Sequence, residues 1–348
     1  MIVHEIQKFG APLECVERPS PQPTGSEVVI QVRWCGVCHT DLHLSHGHYE
    51  MGDGRKMTLA DRGVVPPIVL GHEIMGTLAA IGPDAPIAQD QIGKPFIVFP
   101  WIGCGQCSTC AAGDDNLCAK GRVLGVHRPG GYQQQILVPH PKYLIDATGL
   151  PEQLAATYAC SGLTAYSALR KINREPANTR LLITGFGGVG QSAFQLAQAL
   201  GYRDIGVVDN AAERCDAARK AGAGAAFQIG QPDSAAPAGY DAAIDFVGTN
   251  DTAAMALKSL TKGGTYVGVG IFGGVITISV TELVMRALRI VGSYVGSLRE
   301  LHELVALARS GALQPIPIET VPFGDVNLAM ARLERRDLKG RLVLDMQQ

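Results

Sequence analysis

The chain has 348 residues, which favours two domains, and its 46% hydrophobic and 18% charged residues are typical of a globular protein with a sizeable core. Its net charge of −2 argues against nucleic acid or an anionic membrane as a partner. The N-terminus resembles no signal peptide, and glycines and glutamines interrupt the longest apolar region, so we expect a cytoplasmic protein without a membrane span. Its nine cysteines are then better interpreted as thiolate ligands than as disulfides.

Short apolar runs separated by Pro and Gly fill the first 150 or so residues. They predict strands at residues 2–6, 27–34, 68–81, 95–99 and 133–138. Helical periodicity is scarce in this half. The pattern therefore indicates a β-rich, partly barrelled domain.

A cluster of polar, chemically active side chains directly follows the run 28–34. The segment from Cys35 to His43 contains thiols, a hydroxyl, a carboxylate and two imidazoles. A catalytic zinc takes about three protein ligands and leaves one position open. We interpret Cys38, His72 and Cys160 as these ligands. Cys35 and Cys38 also form a Cys-x-x-Cys pair, which can be redox-active, but we interpret Cys35 as a packed thiol.

A second group of cysteines lies in a polar loop. Cys104, Cys107, Cys110 and Cys118 are close enough in sequence to surround one tetrahedral zinc with protein ligands alone. Such a closed set indicates a structural zinc. The alternative, buried free cysteines or a redox pair, fits the polar loop less well.

From residue 180 onward, apolar runs alternate with helical stretches. Strands are predicted at 180–184, 205–209, 225–229, 242–247, 265–269 and 289–294, and helices at 189–200, 211–221, 251–260 and 281–288. This alternation predicts a doubly wound parallel sheet. A tail with helices at 297–310 and 325–335 and a strand at 340–345 follows, and it could return to the first domain.

The first turn of this second half carries a dinucleotide-binding pattern. Gly185, Gly187 and Gly190 follow a strand and open a helix, which allows a tight turn, a close approach to a pyrophosphate and close packing. Asp209, at the end of the next strand, is placed to bind the adenosine ribose and to repel a 2′-phosphate, which favours NAD over NADP. We interpret Arg214 as a solvated helix residue or a flank of the adenine site rather than as a phosphate clamp.

Together these motifs resemble the zinc-dependent alcohol dehydrogenases of the medium-chain dehydrogenase superfamily, over nearly the whole chain. The resemblance rests on residues 38–43, 71–73, the cysteine quartet, Cys160-x3-Thr164 and the turn 185–190. It implies a GroES-like catalytic domain at 1–161 and 296–348, an NAD-binding Rossmann domain at 162–295, two zinc ions per chain, an alcohol or aldehyde substrate and a homo-oligomer, dimer or tetramer.

The same resemblance implies roles for individual residues. Thr40 would take the substrate proton and His43 would pass it on, with Glu73 behind the zinc and Asp41 orienting an imidazole ligand. The expected cofactor-binding residues are His39, Thr164, Gly185, Gly187, Gly188, Val189, Gly190, Asp209, Arg214, Val269, Ile271 and Arg341. Among these, His39 and Arg341 would contact the pyrophosphate, and Thr164, Val269 and Ile271 would line the nicotinamide pocket. Glu73 could instead simply bridge to an arginine.

The segments 47–63 and 292–296 are similar to the bacterial 6-hydroxyhexanoate dehydrogenase type. The loop 51–65, which carries Arg55, Lys56 and Arg62, is either a solvated surface loop or subunit contact, or a lid whose cations meet the far end of the substrate. A polyol-type zinc dehydrogenase often has a glutamate where Cys160 stands. A non-catalytic NAD-binding protein of the same fold is expected to lack Cys38, His72, Thr40 or His43, and all four are present.

Overall fold

Antiparallel strands dominate the first part of the structure, a computed structural model that describes residues 1–230 and 237–348. The strands are β1 (Ile2–Ile6), β2 (Glu14–Glu17), β3 (Val28–Val37), β4 (His48–Glu50), β5 (Lys56–Thr58), β6 (Ile68–Val69), β7 (Glu73–Ile81), β8 (Pro95–Val98), β9 (Gln135–Val138) and β10 (Leu144–Asp146). The helices are α1 (His39–His46), α2 (Ser108–Ala111), α3 (Glu152–Thr157) and α4 (Leu163–Arg170). The predicted β-rich first domain is therefore confirmed.

Strand β3 is the central strand of this part. Its apolar residues are almost all buried, and it pairs antiparallel with β7, with Gly36 opposite Glu73. It runs three residues beyond the predicted segment 27–34 and ends directly before Cys38. The cluster of active side chains therefore begins where the strand ends and α1 begins.

The predicted strand 68–81 is divided in two. Gly71 interrupts it with a φ of 87°, in the left-handed region where residues with a side chain are strained. A Cβ at this position would also collide with the Tyr132 ring and the Cys35 sulfur. This interruption, invisible in the apolar pattern, places His72 between β6 and β7.

Parallel strands and crossover helices form the second part of the chain. Its elements are β11 (Arg180–Thr184), α5 (Gly188–Ala199), β12 (Asp204–Asp209), α6 (Ala212–Lys220), β13 (Ala225–Gln228), β14 (Tyr240–Asp245), α7 (Asn250–Ser259), β15 (Leu260–Gly268), α8 (Val280–Met285) and β16 (Arg289–Gly292). The sheet order is β13-β12-β11-β14-β15-β16, with parallel pairing. This confirms the predicted doubly wound sheet. Helix α8 ends before the predicted residue 288, because Ala287 has a φ of 49°.

The tail returns to the first part of the chain. It consists of α9 (Leu298–Arg309), β17 (Ile318–Pro322), α10 (Val326–Glu334) and β18 (Arg341–Asp345). Strand β18 pairs antiparallel with the end of β3, with Leu342 opposite Val37, and the sheet order becomes β10-β8-β7-β3-β18-β17. Within the described ranges, no helix has both the length and the apolar character needed to cross a membrane.

Candidate active site

Three side chains suited to metal binding converge in the interior of the first part of the chain. Cys38 caps the start of α1, His72 lies between β6 and β7, and Cys160 lies between α3 and α4. All three are buried, and one ligand atom from each lies within 4.8 Å of the other two. Two thiols and one imidazole form a donor set typical of a catalytic zinc, with one position left for a small molecule.

Asp41 joins two of these ligand positions. Its carboxylate accepts hydrogen bonds from the backbone N–H of Cys38 (2.9 Å) and of Gly71 (3.1 Å). The hydroxyl of Tyr132 also donates to it, at 3.2 Å. Its Oδ1 lies 3.3 Å from Nδ1 of His72. The buried carboxylate therefore lies beside the imidazole, a placement that fits the orienting role that the family resemblance implies for Asp41.

Cys160 reaches the site from an irregular helical turn. Residues Tyr158–Gly162 form one turn of π-helix, a local widening that is common at functional sites. The indole of Trp101 donates to the Ala159 carbonyl (3.0 Å) and packs edge-on against the His72 ring, with centroids 5.8 Å apart. Trp101 thus supports the ligand set from one side.

The electrostatics of the trio favour a thiolate next to a cationic partner. Hydrogen bonds from Cys160 and His72 hold the pKa of Cys38 well below its usual range, although burial opposes this. Burial by itself would lower the pKa of His72, but Asp41 and Cys38 together raise it. Among the described residues, Nε2 of His72 is buried without a hydrogen-bond partner. A metal ion bound by the two sulfurs and this nitrogen would satisfy all three groups, so the residues fit zinc.

The cysteine quartet forms a second cluster. The Sγ atom of Cys107 lies 3.5 Å from Sγ of Cys110 and 3.8 Å from Sγ of Cys118. The Sγ atoms of Cys104 and Cys110 are 4.0 Å apart. Four sulfurs around one tetrahedral zinc, at Zn–S distances of about 2.3 Å, would be roughly 3.8 Å apart. Backbone N–H groups of Gln106 and Cys107 lower the pKa of Cys104 to about 6. The structure therefore brings together all four predicted ligands, as free thiols, in a geometry that suits zinc.

Thr40 and His43 are one helical turn apart on α1. The His43 ring packs against Tyr49 and Phe272, with centroids 5.2 and 6.2 Å away. Its Nε2 is buried and has no hydrogen-bond partner in the described ranges. Burial lowers the pKa of His43, so the ring is neutral near neutral pH and can accept a proton.

Glu73 is held away from solvent by an ion pair with Arg341. Its Oε1 also accepts from the backbone N–H of Ser161, at 3.0 Å, next to Cys160. The alternative interpretation of Glu73, a bridge to an arginine, thus describes the observed contact. Glu73 also joins the chain next to His72 to the chain next to Cys160.

The glycine turn forms an open cradle at the carboxyl end of β11. Gly185 has a φ of 88°, and a Cβ on Gly190 would collide with the Gly185 carbonyl, so helix and turn pack closely. A Cβ on Gly187 would meet no heavy atom within 4 Å, so this position faces open space. Gly188 and Val189 begin α5, and Gly188 lies against the aliphatic part of Arg341. The residues fit a dinucleotide whose pyrophosphate approaches the backbone.

Asp209 lies beside this cradle at the end of β12. It accepts hydrogen bonds from the backbone N–H groups of Phe186 (2.7 Å) and Ala211 (3.0 Å). Arg214 lies 3.8 Å from the same carboxylate, which makes it a flank of this site rather than a free surface residue. Thr164 lies one helical turn after Cys160, and Val269 and Ile271 follow β15.

A cavity of about 450 Å³ opens beside the loop that carries the cysteine quartet. Its walls include Arg62, Trp101, His127 and Tyr294, together with the loop of the cysteine quartet. Trp101 separates it from His72, and the rings of Trp101 and Tyr294 meet edge-on at 5.8 Å. None of Cys38, His72 and Cys160 is among its lining residues, so the cavity lies outside the ligand trio, on the other side of Trp101.

Sequence reasoning missed several residues of the site. Tyr132 fixes Asp41, Phe272 contacts both His39 and His43, and Asn116 donates to the Tyr294 carbonyl at 3.0 Å. None of these residues has a distinctive local pattern. Only proximity to Ile271 in the sequence could have drawn attention to Phe272.

Comparisons with known proteins agree with this geometry. Residues 24–148 match the alcohol dehydrogenase GroES-like domain, and residues 188–310 match the zinc-binding dehydrogenase family. The chain is 34% identical to an NAD-dependent alcohol dehydrogenase of Saccharolobus solfataricus and 33% identical to one of Sulfurisphaera tokodaii, in each case over 97% of this chain and 98% of the relative. It is also similar to the solved structure of acetophenone reductase from Geotrichum candidum in complex with NAD, with a TM-score of 0.84, 31% identity and coverage of 99% of this chain and 96% of that one. The chain therefore belongs to the zinc-dependent alcohol dehydrogenases, oxidoreductases that combine a GroES-like domain with a Rossmann-type domain.

Proposed function

We propose that this enzyme reversibly oxidises an alcohol to an aldehyde or ketone, with NAD as the hydride acceptor and zinc held by Cys38, His72 and Cys160. One observation carries the proposal. Helix α1, which follows Cys38, meets the carboxyl end of the nucleotide sheet, because Phe272, just after β15, packs against His39 with ring centroids 5.1 Å apart. Ligands of doubly wound sheets bind at this end. The metal ligands and the nicotinamide side of a dinucleotide would therefore face the same space.

Each bound group supplies one part of the chemistry. Zinc is a Lewis acid that makes a hydroxyl easier to deprotonate, and the nicotinamide accepts hydride. Thr40 would take up the hydroxyl proton while giving up its own, and His43, neutral near neutral pH, would accept a proton from this relay and release it to solvent. Asp41 keeps His72 oriented, and Trp101 excludes water from one side of the trio. Cys104, Cys107, Cys110 and Cys118 hold a second, structural zinc.

A panel of alcohols with NAD, followed by the absorbance of NADH, tests this activity, and metal analysis tests the zinc content. We expect two zinc ions per chain and oxidation of at least some alcohols. A polyol-type enzyme would instead prefer polyols over simple alcohols, and a non-catalytic protein would bind NAD and reduce none of it.

The substrate is proposed to be an ω-hydroxy acid, such as 6-hydroxyhexanoate, rather than a neutral alcohol. Arg62 lines the cavity that Trp101 separates from His72. It forms no ion pair within the described ranges, whereas Lys56 from the same loop lies 3.2 Å from Glu50. Arginine can hold a carboxylate through two parallel hydrogen bonds. An ω-hydroxy acid with its hydroxyl at the trio and its carboxylate on Arg62 would extend past Trp101 into this cavity.

The test compares kcat/KM for 6-hydroxyhexanoate and 1-hexanol in the wild type and in Arg62→Ala. A solvated ion pair contributes about 1 kcal/mol, so we expect a preference for the acid of roughly tenfold or less, lost in the variant. Arg55→Ala is the matched control, since it removes an exposed cation from the same loop that does not line the cavity. Preference for hexanol in the wild type, or an unchanged ratio in Arg62→Ala, would indicate a neutral alcohol as substrate.

The oligomer is proposed to form through the free edge of the nucleotide sheet. Strand β16 ends the sheet order, and its residues are largely exposed. Exposed apolar side chains lie on this strand and on the preceding helix α8: Val280, Val284, Met285 and Ile290. An apolar edge strand is a template for pairing with another chain. A homodimer through β16, or a tetramer made of two such dimers, would cover this surface.

Sedimentation of the wild type and of an Ile290→Glu variant tests this assembly. The charged side chain should shift the population to monomers, because it would have to be buried without a partner. Glu17→Lys, a charge change on the exposed strand β2, serves as the control. An unchanged oligomer in Ile290→Glu would place the interface elsewhere.

The division of the chain is proposed to follow the two sheets. Residues 1–161 and 296–348 would form the catalytic domain, and residues 162–295 the NAD-binding domain. The pairing of β18 with β3 supports assignment of the tail to the first domain. A cytoplasmic location is also proposed, in agreement with nine free cysteines, four of which form the quartet.

A further inference from the structure

Arg336 adopts a strained backbone conformation directly after α10. Helix α10 ends at Glu334, Arg335 caps it, and Arg336 follows with a φ of 59°. Helices commonly place glycine at this position, because other residues are strained there. Such outliers cluster at functional sites, where the surrounding structure maintains them. Arg336 is also exposed and charged, so the strained position suggests that its side chain has a function.

The main chain of Arg336 is held beside the proposed ribose site. Its carbonyl accepts a hydrogen bond from Nη2 of Arg214, at 3.3 Å. The other terminal nitrogen of Arg214 lies 3.8 Å from the Asp209 carboxylate, and Asp209 in turn accepts from Phe186 in the glycine turn. These contacts place residue 336 at the adenosine end of the cofactor cradle.

The side chain of Arg336 extends from there toward the metal ligands. Its guanidinium carbon lies 5.1 Å from the centroid of the Phe272 ring, a cation–π contact. The same ring packs edge-on against His39. His39 directly follows Cys38, so the Arg336 side chain lies between the two ends of the proposed site.

We propose that Arg336 is a cofactor-binding residue whose guanidinium, supported by Phe272, binds the pyrophosphate of NAD. A dinucleotide with its adenosine ribose on Asp209 and its nicotinamide near Cys38 must have its pyrophosphate between these two residues. Arg336 lies in this interval, because its main chain contacts Arg214 and its side chain contacts Phe272. Arg341, the arginine expected at the pyrophosphate from the sequence, is buried and paired with Glu73. Arg336 is exposed and can form charge-assisted hydrogen bonds with a diphosphate. This inference rests on the proposed use of NAD.

The experiment measures binding of NAD, ADP-ribose and adenosine to the zinc-loaded wild type and to Arg336→Gly, by calorimetry. Glycine removes the cation and also suits the left-handed backbone, so the variant should fold at least as well as the wild type. We expect the Kd of NAD and of ADP-ribose to rise about tenfold, as for the loss of one charge-assisted contact. The Kd of adenosine, which has no phosphate, should be unchanged.

Two further variants separate charge from backbone strain. Arg336→Lys keeps the cation and the same backbone strain, and it should lose less affinity for NAD than Arg336→Gly. Ala287→Gly replaces another residue with positive φ, on the loop between α8 and β16, and should leave all three Kd values unchanged. The thermal midpoint of the cofactor-free Arg336→Gly protein should not fall.

An unchanged Kd for NAD in Arg336→Gly would overturn the proposal. A lower thermal midpoint with equal weakening of all three ligands would also overturn it, since it would show a structural role only. If the wild type itself does not bind NAD, the proposed function is wrong. If the wild type binds NAD and Arg336→Gly binds it equally well, only the role of Arg336 is wrong.

Discussion

Arg341, in the last strand of the chain, forms a buried ion pair with Glu73, the residue that follows the proposed ligand His72. The pair joins β18 to β7 across the sheet and lies against Gly188 of the glycine turn. Burial raises the pKa of Glu73, although Arg341 acts in the opposite direction. Burial of the pair therefore carries a desolvation cost, which the attraction between the two charges opposes.

Arg341→Met should destabilise the protein strongly, because it leaves the Glu73 carboxylate buried and unpaired. Loss of one partner of a buried pair costs about 3–5 kcal/mol. The double variant Glu73→Gln/Arg341→Met should regain part of this loss, since no buried charge remains. Urea unfolding of the zinc-loaded proteins measures both effects. Strictly additive losses in the double variant would show that the two side chains act independently.

The two cysteine groups should respond differently to substitution. Cys160→Ser should abolish turnover and leave a folded protein that still binds NAD, because the trio is proposed to be catalytic. Cys107→Ser should lower the thermal midpoint, because binding of a structural zinc is coupled to folding. Thermal unfolding, zinc content and turnover of both variants are the measurements. Equal loss of stability in the two variants, with turnover retained in Cys160→Ser, would contradict the assignment.

Asp209→Ala should weaken NAD binding and relax discrimination against NADP. The carboxylate would no longer bind the ribose or repel a 2′-phosphate, and Arg214, 3.8 Å away, would be free to bind that phosphate. The double variant Asp209→Ala/Arg214→Ala is the control, and it should not show the increase in kcat/KM for NADP that we expect in Asp209→Ala. Steady-state kinetics with both cofactors provide the comparison. A wild type that already uses NADP as well as NAD would invalidate this role of Asp209.

Thr40→Val should lower turnover severely while zinc stays bound, because the substrate proton loses its acceptor. His43→Gln should have a smaller effect, largest below neutral pH, where little hydroxide is present to replace the histidine. Burial lowers the pKa of His43, so the wild-type ring stays neutral to a lower pH than an exposed imidazole would. Small basic buffers should partly rescue His43→Gln and not Thr40→Val. Full activity of Thr40→Val in a pH series would end the relay proposal.

Features with short sequence separation were predictable from the chain itself. The cysteine quartet spans Cys104 to Cys118, and all four sulfurs indeed meet. The glycine turn and Asp209 follow directly from strand ends in an alternating pattern, and the parallel sheet that they require is present. In these cases only a few residues separate the functional side chains, and the short chain between them limits how far apart they can lie. Their spacing in the sequence is therefore enough to predict that they share a site.

Other features were decided only by tertiary packing. Glu73 and Arg341 are 268 residues apart, and their contact depends on the return of β18 to β3. The break at Gly71 exists because its backbone N–H binds Asp41 and because Tyr132 and Cys35 occupy the space of a side chain. The cavity position of Arg62 and the contact of Arg336 with Phe272 likewise join distant segments. Local sequence patterns determined the elements and the chemistry available on them, whereas long-range pairing and close packing determined which of these side chains share one site.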